Sequence, residues 1–101
     1  MSNTILAGPD CMTMAEVRAG VDQVDRDLIA LLARRFAYMA AAARIKPTRD
    51  KVRDEARKAL VIANARAEAA RLGLPEAAIA ALWDDLVEAS IAYELALFDK
   101  R

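Results

Sequence analysis

The sequence predicts an all-α fold, and two observations support this prediction. The 101 residues are rich in alanine, leucine, arginine and glutamate, with only 5% aromatic residues and three glycines. This composition favours helices and leaves few of the side chains that strands prefer. Apolar residues also recur at spacings of three and four along most of the chain, as in amphipathic helices. We therefore expect three helices and no sheet.

The longest predicted helix, which we label α1, extends from Thr13 to Lys46. Thr13 and Glu16 have the spacing of a capping box at its start, and Pro47 ends it. One row along this helix is apolar apart from a single arginine and comprises Val17, Val21, Val24, Leu28, Leu31, Arg35, Tyr38, Ala42 and Ile45. We call this row the α1 seam. Such a row is typical of a helix that packs lengthwise against other helices.

Two further helices are predicted after short connections. The second extends from about Asp50 to Leu72, with Gly73 as its C-cap, and the third begins with Pro75 in its first turn and extends to about Phe98. The expected inward row of the second helix is Val52, Ala56, Leu60, Ala63 and Ala67. The expected core row of the third is Ile79, Leu82, Trp83, Leu86, Val87 and Ile91. Short connections favour antiparallel neighbours.

The chain is predicted to be a single small domain. Residues 1–12 contain Gly8 and Pro9 and have no periodicity, so we expect a flexible N-terminal arm, with residues 13–101 forming the domain. A domain of this size has a modest core unless a partner enlarges it, and dimerisation is the simplest way to do so.

Composition excludes several classes of function. Fifteen basic and fifteen acidic residues give no net charge, which argues against nucleic acid or an anionic membrane as a partner. Histidine is absent and Cys11 is the only cysteine, so His-based metal sites, serine triads and paired-cysteine chemistry are excluded. We expect no cofactor or metal. Without a signal peptide or a long apolar run, a soluble cytoplasmic protein is predicted.

Arg35 interrupts the α1 seam, and a buried charge there needs a partner. Two interpretations are open. One is a structural salt bridge with an acid such as Asp54, Asp84, Asp85 or Glu88. The other is an anion-binding residue that faces a cavity between helices, where helical bundles build their ligand sites.

Further polar residues are predicted to point to the same interior. Lys46 lies eleven residues after Arg35, which is about 20° of rotation and about 16 Å of rise, so both side chains leave the helix on one side. In the third helix Ser90 and Glu94 lie on an otherwise apolar ridge. Ser90 alone is explained by a hydrogen bond to its own helix, whereas Glu94 costs more to bury and indicates a polar cavity.

Arg18 is too far along the first helix to join this group within one chain. It lies about 42 Å from Lys46 on a straight helix. If two copies of the helix cross antiparallel on a two-fold axis near Leu28 or Ile29, Arg18 of one copy falls between Arg35 and Lys46 of the other. A homodimer with two equivalent cationic sites is therefore predicted.

The chain resembles the all-helical chorismate mutase family from about Met12 to Phe98. The motifs that carry the resemblance are an R followed by VDxxD, then LIALLARR, AxxARIK, VRDxxR and GLPEAAIAALWDDLVEASIAYE. The resemblance implies an intertwined homodimer of three-helix chains that forms a helical bundle. It also implies that each active site uses one arginine from the partner chain.

The resemblance also implies roles for individual residues. Arg18 of the partner chain and Arg35 would bind the substrate carboxylates. Lys46 matches the lysine that contacts the ether oxygen and a carboxylate. Glu94 matches the residue that hydrogen-bonds the ether oxygen, for which it must be protonated, and Ser90 matches a serine near the ring carboxylate.

The second helix carries the remaining matches and one of three departures from the family pattern. Asp54 is at the position whose backbone helps to hold the substrate hydroxyl, and Arg57 is at a further cationic position. Lys58 stands where chorismate mutases often have a glutamate that binds this hydroxyl. The other departures are Glu94, where bacterial members commonly have glutamine, and a loop after Lys46 that is one residue shorter.

Three functions follow as expectations. The first is chorismate mutase, which rearranges chorismate to prephenate in aromatic amino-acid biosynthesis. The second is the isochorismate-pyruvate lyase branch of the same fold, which this chain also resembles in its short arm ending in Asp10 and Cys11. The third is a non-catalytic helical dimer in which the arginines and lysines only form salt bridges.

Overall fold

The computed structural model describes residues 5–101, which contain three α-helices and no strand. The helices are α1 (Met14–Ile45), α2 (Glu55–Arg71) and α3 (Glu76–Phe98), with short 3-10 helices at Gly8–Asp10 and Arg49–Lys51. The prediction of an all-α chain with one long N-terminal helix is confirmed. None of the helices described is long and apolar enough to cross a membrane.

The chain divides into two compact units, Met1–Arg35 and Phe36–Arg101, and α1 contributes residues to both. In the first unit, residues 5–11 lie beside α1, and a side chain added at Gly20 would meet the carbonyl of Leu6 at 3.7 Å. The predicted N-terminal arm begins with residues 1–4, which lie outside the described residues. Its flexibility stays a prediction.

The capping box at the start of α1 forms as predicted. The Glu16 amide donates to Thr13 Oγ1 at 3.2 Å, and the Thr13 amide donates to Glu16 Oε1 at 2.9 Å. The Met12 amide also donates to Glu16 Oε1, and this hydrogen bond is the main cause of the lowered pKa of Glu16. Three backbone amides at the helix start are therefore satisfied by two side-chain oxygens, which is why α1 begins at Met14.

The predicted start of α2 at Asp50 is wrong. Arg49–Lys51 form a 3-10 helix, and Asp54 has extended backbone angles (φ −132°), so α2 begins only at Glu55. The Asp54 carboxylate accepts a hydrogen bond from the Arg57 amide at 2.9 Å. Asp54 is thus the N-cap, because its side chain satisfies an amide that has no partner within the helix.

The later start of α2 changes which of its faces is buried. Val52 is only 4% exposed, but it lies before the first residue of α2. A row of every third or fourth residue counted from Val52 therefore does not coincide with the buried face of the helix. Leu60, predicted to point inward, is 51% exposed, whereas Ala69 is buried and Val61 packs against the core. The predicted inward row is therefore wrong beyond Val52.

The end of α2 is predicted to within one residue, since the helix ends at Arg71 with Leu72 as its C-cap, and Gly73 follows. Gly73 has a φ of +71°, which is the left-handed conformation that side chains disfavour. The Leu74 amide donates to the Ala69 carbonyl at 2.8 Å, and the Gly73 amide donates to the Ala70 carbonyl at 3.2 Å. This is a Schellman motif, and it turns the chain directly into α3.

The core of the second unit lies where α2 and the preceding loop pack against α3. Val52, Val87 and Ile91 form it, and Val61, Leu95 and Phe98 pack against them. Phe36 and Tyr93 form an edge-to-face ring pair with centroids 5.0 Å apart. Leu82, predicted to lie in the core, is 59% exposed.

The α1 seam is largely uncovered. In the first unit Val21, Val24, Leu28 and Leu31 are each at least half exposed, and in the second unit Tyr38 and Ile45 are more so. Within residues 5–101, no large side chain is completely buried. Exposed apolar side chains in such a row are typical of an interaction surface. The homodimer stays a prediction.

Candidate functional site

Lys46 and Glu94 form an ion pair at the end of α1. Lys46 follows the last residue of α1, and its Nζ lies 2.8 Å from Glu94 Oε2 on α3. Nζ also donates a hydrogen bond to the Val52 carbonyl at 3.3 Å. The Glu94 side chain is only 4% exposed, whereas the lysine side chain is 30% exposed. Two residues predicted to share a site are thus in direct contact.

The sequence of α3 explains why a carboxyl group is buried here. Glu94 lies one helical turn after Ser90 on a ridge that packs inward, and both residues are 3% exposed. Ser90 Oγ donates to the Leu86 carbonyl at 2.6 Å, which is the hydrogen bond expected for a serine inside a helix. Glu94 has no such local partner, and the Lys46 ammonium offsets the cost of its burial.

This pair can act on a ligand in two ways. When Glu94 is ionised, it accepts from Lys46 and the pair is nearly neutral. When Glu94 carries a proton, its O–H and the neighbouring ammonium are both donors, one on α3 and one at the end of α1. Two converging donors stabilise an oxygen atom on which negative charge develops.

Lys58 belongs to a separate group that we call the α2–α3 ion-pair cluster, comprising Arg53, Lys58, Asp84 and Glu88. Lys58 Nζ lies 3.0 Å from Glu88 and 3.1 Å from Asp84, and Arg53 donates to both Glu88 oxygens at 2.9 and 3.1 Å. Asp84 and Glu88, considered above as partners for Arg35, thus pair with other cations.

The cluster shifts the pKa of its members. Hydrogen bonds from Arg53 and then Lys58 lower the pKa of Glu88 to about 2. Hydrogen bonds to Glu88 and then Asp84 raise the pKa of Lys58. The Lys58 ammonium therefore remains charged and engaged with α3.

Replacing Glu88 with glutamine should reduce stability at neutral pH and matter less in acid. Because the pKa of Glu88 is lower in the folded chain than its ordinary 4.5, its contribution is present above about pH 4.5 and is lost as pH falls towards 2. The melting temperatures of wild type and Glu88→Gln should therefore converge over this range. Asp85→Asn, an exposed change on the same helix, is the control. A pH-independent difference would contradict this assignment.

The other predicted site residues are spread over both units. Arg18 is exposed and makes no side-chain hydrogen bond or ion pair within residues 5–101, and Arg35 is half-buried; both lie in the first unit. Asp54 and Arg57 lie in the second unit. Asp54 caps α2 with its side chain, and Arg57 is exposed.

One residue next to this site was missed from the sequence. Arg101 Nη1 donates to the Lys46 carbonyl at 2.6 Å and to the Ala43 carbonyl at 3.2 Å. Its guanidinium also stacks on Phe98, 4.1 Å from the ring centroid. The sequence signal for such a residue was Pro47, which has no N–H and cannot donate a hydrogen bond to the last carbonyl groups of α1. The sequence does not indicate which side chain donates in its place, because that depends on the tertiary structure.

A groove of about 540 Å³ lies beside Arg101 in the second unit, between the end of α1 and the end of α3. Its lining includes Ala37, Ala41, Arg44 and Leu97, but neither residue of the Lys46–Glu94 pair. We therefore do not assign it to the substrate. In the part of the chain that the structure describes, no group of three or more Cys, Asp or Glu residues could hold a metal ion.

The comparison with protein families gives one result. The family model described as chorismate mutase type II matches residues 17–95, most of the chain. The matched range includes every residue to which the resemblance assigns a role, from Arg18 to Glu94. No curated protein matches the sequence.

Proposed function

This chain belongs to the chorismate mutase type II family, and we propose that it catalyses the rearrangement of chorismate to prephenate. The observation that carries the proposal is the Lys46–Glu94 pair, an ammonium held against a buried carboxyl group at 2.8 Å. We further propose that the reaction serves aromatic amino-acid biosynthesis in the cytoplasm.

The proposed reaction suits a chain that has no histidine. The Claisen rearrangement is pericyclic, so it needs neither proton transfer nor a covalent intermediate. The enzyme has to hold the chair-like conformer and stabilise the negative charge that grows on the ether oxygen as the C–O bond breaks. We assign the second task to Lys46 and protonated Glu94, which would donate hydrogen bonds to that oxygen.

The two carboxylates of the substrate require further cations. We propose that Arg35 binds one of them and that Arg18 of a second chain binds the other, as the family resemblance implies. Arg18 is exposed and has no side-chain hydrogen bond or ion pair with any other residue in the range 5–101, which supports this role. An arginine suits the task because its planar guanidinium can form two parallel hydrogen bonds to a carboxylate.

A homodimer is part of this proposal. The exposed α1 seam supports it, since side chains such as Leu28 and Leu31 are about half exposed in the single chain and would be covered by a second copy. Because each site would take Arg18 from the other chain, a monomer should be nearly inactive.

The roles of the remaining site residues are proposed on the same resemblance. The backbone of Asp54 would help to hold the substrate hydroxyl, with Arg57 as a nearby cation, and Ser90 would lie near the ring carboxylate. Lys58 departs from the family pattern, because a glutamate is common at this position and the Lys58 ammonium is paired with Asp84 and Glu88.

The pairing of Lys58 is the observation that favours a second candidate, isochorismate-pyruvate lyase. A lysine held by two carboxylates cannot replace the glutamate that accepts a hydrogen bond from the hydroxyl of chorismate. The two activities are separated by incubating the protein with chorismate and with isochorismate and identifying prephenate or salicylate. If neither product forms, or if Arg35→Ala leaves turnover unchanged, a non-catalytic dimer becomes the better proposal.

Activity is expected to decline as pH rises, because only a protonated Glu94 donates to the ether oxygen. Glu94→Gln should flatten this profile, since the amide donates at every pH and leaves Lys46 without an anionic partner. The measurement is kcat for prephenate formation at a series of pH values from about 5 to about 8. Glu68→Gln, at an exposed pair with Arg71, is the control and should keep the wild-type profile. A flat wild-type profile would count against a protonated Glu94.

A further inference from the structure

Near the end of α1, one buried carbonyl group has no backbone N–H to accept a hydrogen bond from. The Lys46 amide donates to the Ala42 carbonyl at 2.9 Å, but the next residue, Pro47, has no N–H to donate to the Ala43 carbonyl. Ala43 is 2% exposed, so water has little access to this carbonyl group. A buried carbonyl without a partner costs free energy, and a side chain has to supply the hydrogen bond.

Arg101 supplies this hydrogen bond. Its Nη1 donates to the Ala43 carbonyl at 3.2 Å and to the Lys46 carbonyl at 2.6 Å. The guanidinium is held over the ring of Phe98, which packs against the core of the second unit. A positive charge at the C-terminal end of a helix is also favourable because of the helix dipole.

Lys46 is consequently held at both ends. Its ammonium contacts Glu94 at 2.8 Å and the Val52 carbonyl at 3.3 Å, and its own carbonyl accepts from Arg101 at 2.6 Å. Without the last contact, the final turn of α1 would be free to fray, because Pro47 cannot extend the helix. The location of the ammonium depends on this backbone.

We propose that Arg101 is a positioning residue for Lys46: it holds the backbone from which the catalytic ammonium extends. The catalytic part of this inference rests on the proposed function. Arg101 has no contact with the Lys46 ammonium, so it acts only through the carbonyl groups at the end of α1.

The test has a catalytic and a structural measurement. Arg101→Ala should lower kcat about tenfold and change KM less than about threefold, because a displaced Lys46 loses an interaction made mainly in the transition state. By NMR, hydrogen exchange of the Lys46 amide should accelerate about tenfold as the last turn frays. Arg101→Lys keeps the charge and one donor and should restore part of both properties.

The matched control is Arg49→Ala. It removes the exposed ion pair with Asp99, at 2.8 and 3.2 Å, and so loosens the same end of α3 without touching the carbonyls of α1. Both kcat and the exchange rate should stay within about twofold of wild type. Equal effects of Arg49→Ala and Arg101→Ala would mean that Arg101 only stabilises this end of α3, and would overturn the inference.

The remaining outcomes also decide the question. If the hydrogen-exchange rate of the Lys46 amide is unchanged in Arg101→Ala, the inference is overturned whatever the activity. If this rate rises but kcat is unchanged, the catalytic role of Arg101 is overturned. If Arg101→Ala does not fold, Arg101→Lys is used, and wild-type values of both properties overturn the inference. A wild-type protein that forms no prephenate overturns the proposed function and with it the catalytic role, while hydrogen exchange still decides whether Arg101 holds Lys46.

Discussion

Replacing Lys46 with methionine is expected to lower kcat/KM about a thousandfold, because removing one donor to a developing oxyanion costs a factor of about 10² to 10³. Methionine retains much of the length of the side chain but has neither charge nor N–H. The measurement is the initial rate of prephenate formation from chorismate. Lys51→Met, an exposed lysine in the same connection, is the control and should stay within about twofold of wild type.

Repeating this substitution in a second variant protein separates its effect on catalysis from its effect on folding. Lys46→Met leaves the buried Glu94 carboxylate without its partner. Removing one member of a buried ion pair lowers the free energy of unfolding by about 3–5 kcal/mol. The substitution is therefore repeated in Glu94→Gln, where no buried charge remains, with unfolding followed in urea. If Lys46→Met lowers kcat/KM less than tenfold in folded protein of both backgrounds, Lys46 does not have the proposed role.

Mixing two inactive variants is expected to restore about a quarter of the wild-type activity. Arg18→Ala and Lys46→Met should each be nearly inactive as homodimers. When the chains are mixed equally and exchange at random, about half of the dimers contain both variants. Each mixed dimer has one intact site, in which Lys46 of one chain is joined by Arg18 of the other. Activity is measured after the chains are mixed in mild denaturant and refolded.

A second mixture is the matched control. Arg35→Ala and Lys46→Met both damage the residues that a chain is proposed to contribute to its own site, so a mixed dimer has no intact site and activity should not recover. Exchange is verified with tags of different size. If the mixture with Arg18→Ala also fails to recover although mixed dimers are present, Arg18 does not act across the interface.

The candidate site was predictable to different degrees at different residues. Glu94 and Ser90 could be identified because polar residues on an apolar helical ridge are costly to bury and therefore stand out. Lys46 could be identified from its spacing to Arg35. The sequence did not reveal that Glu94 and Lys46 contact each other, since 48 residues separate them and only folding brings them together.

Lys58 and Arg101 needed the tertiary structure for a different reason. Both are long side chains with several possible partners, and the partner is chosen by which helix packs nearby. Asp84 and Glu88 contact Lys58 because α2 packs on α3 in one register. Arg101 contacts α1 because Pro47 leaves a carbonyl without a donor.

The sequence by itself determined the fold class, the family and two of the helix ends. The capping box at Thr13 and the Schellman motif at Gly73 involve neighbouring residues only, so local chemistry was enough to predict where α1 begins and where α2 ends. The start of α2 was decided by a local cap at Asp54 that helical periodicity does not reveal, whereas its buried face was decided by tertiary structure. Val52 is buried against Val87 and Ile91 from a loop, and helical periodicity cannot describe a residue that packs from outside the helix.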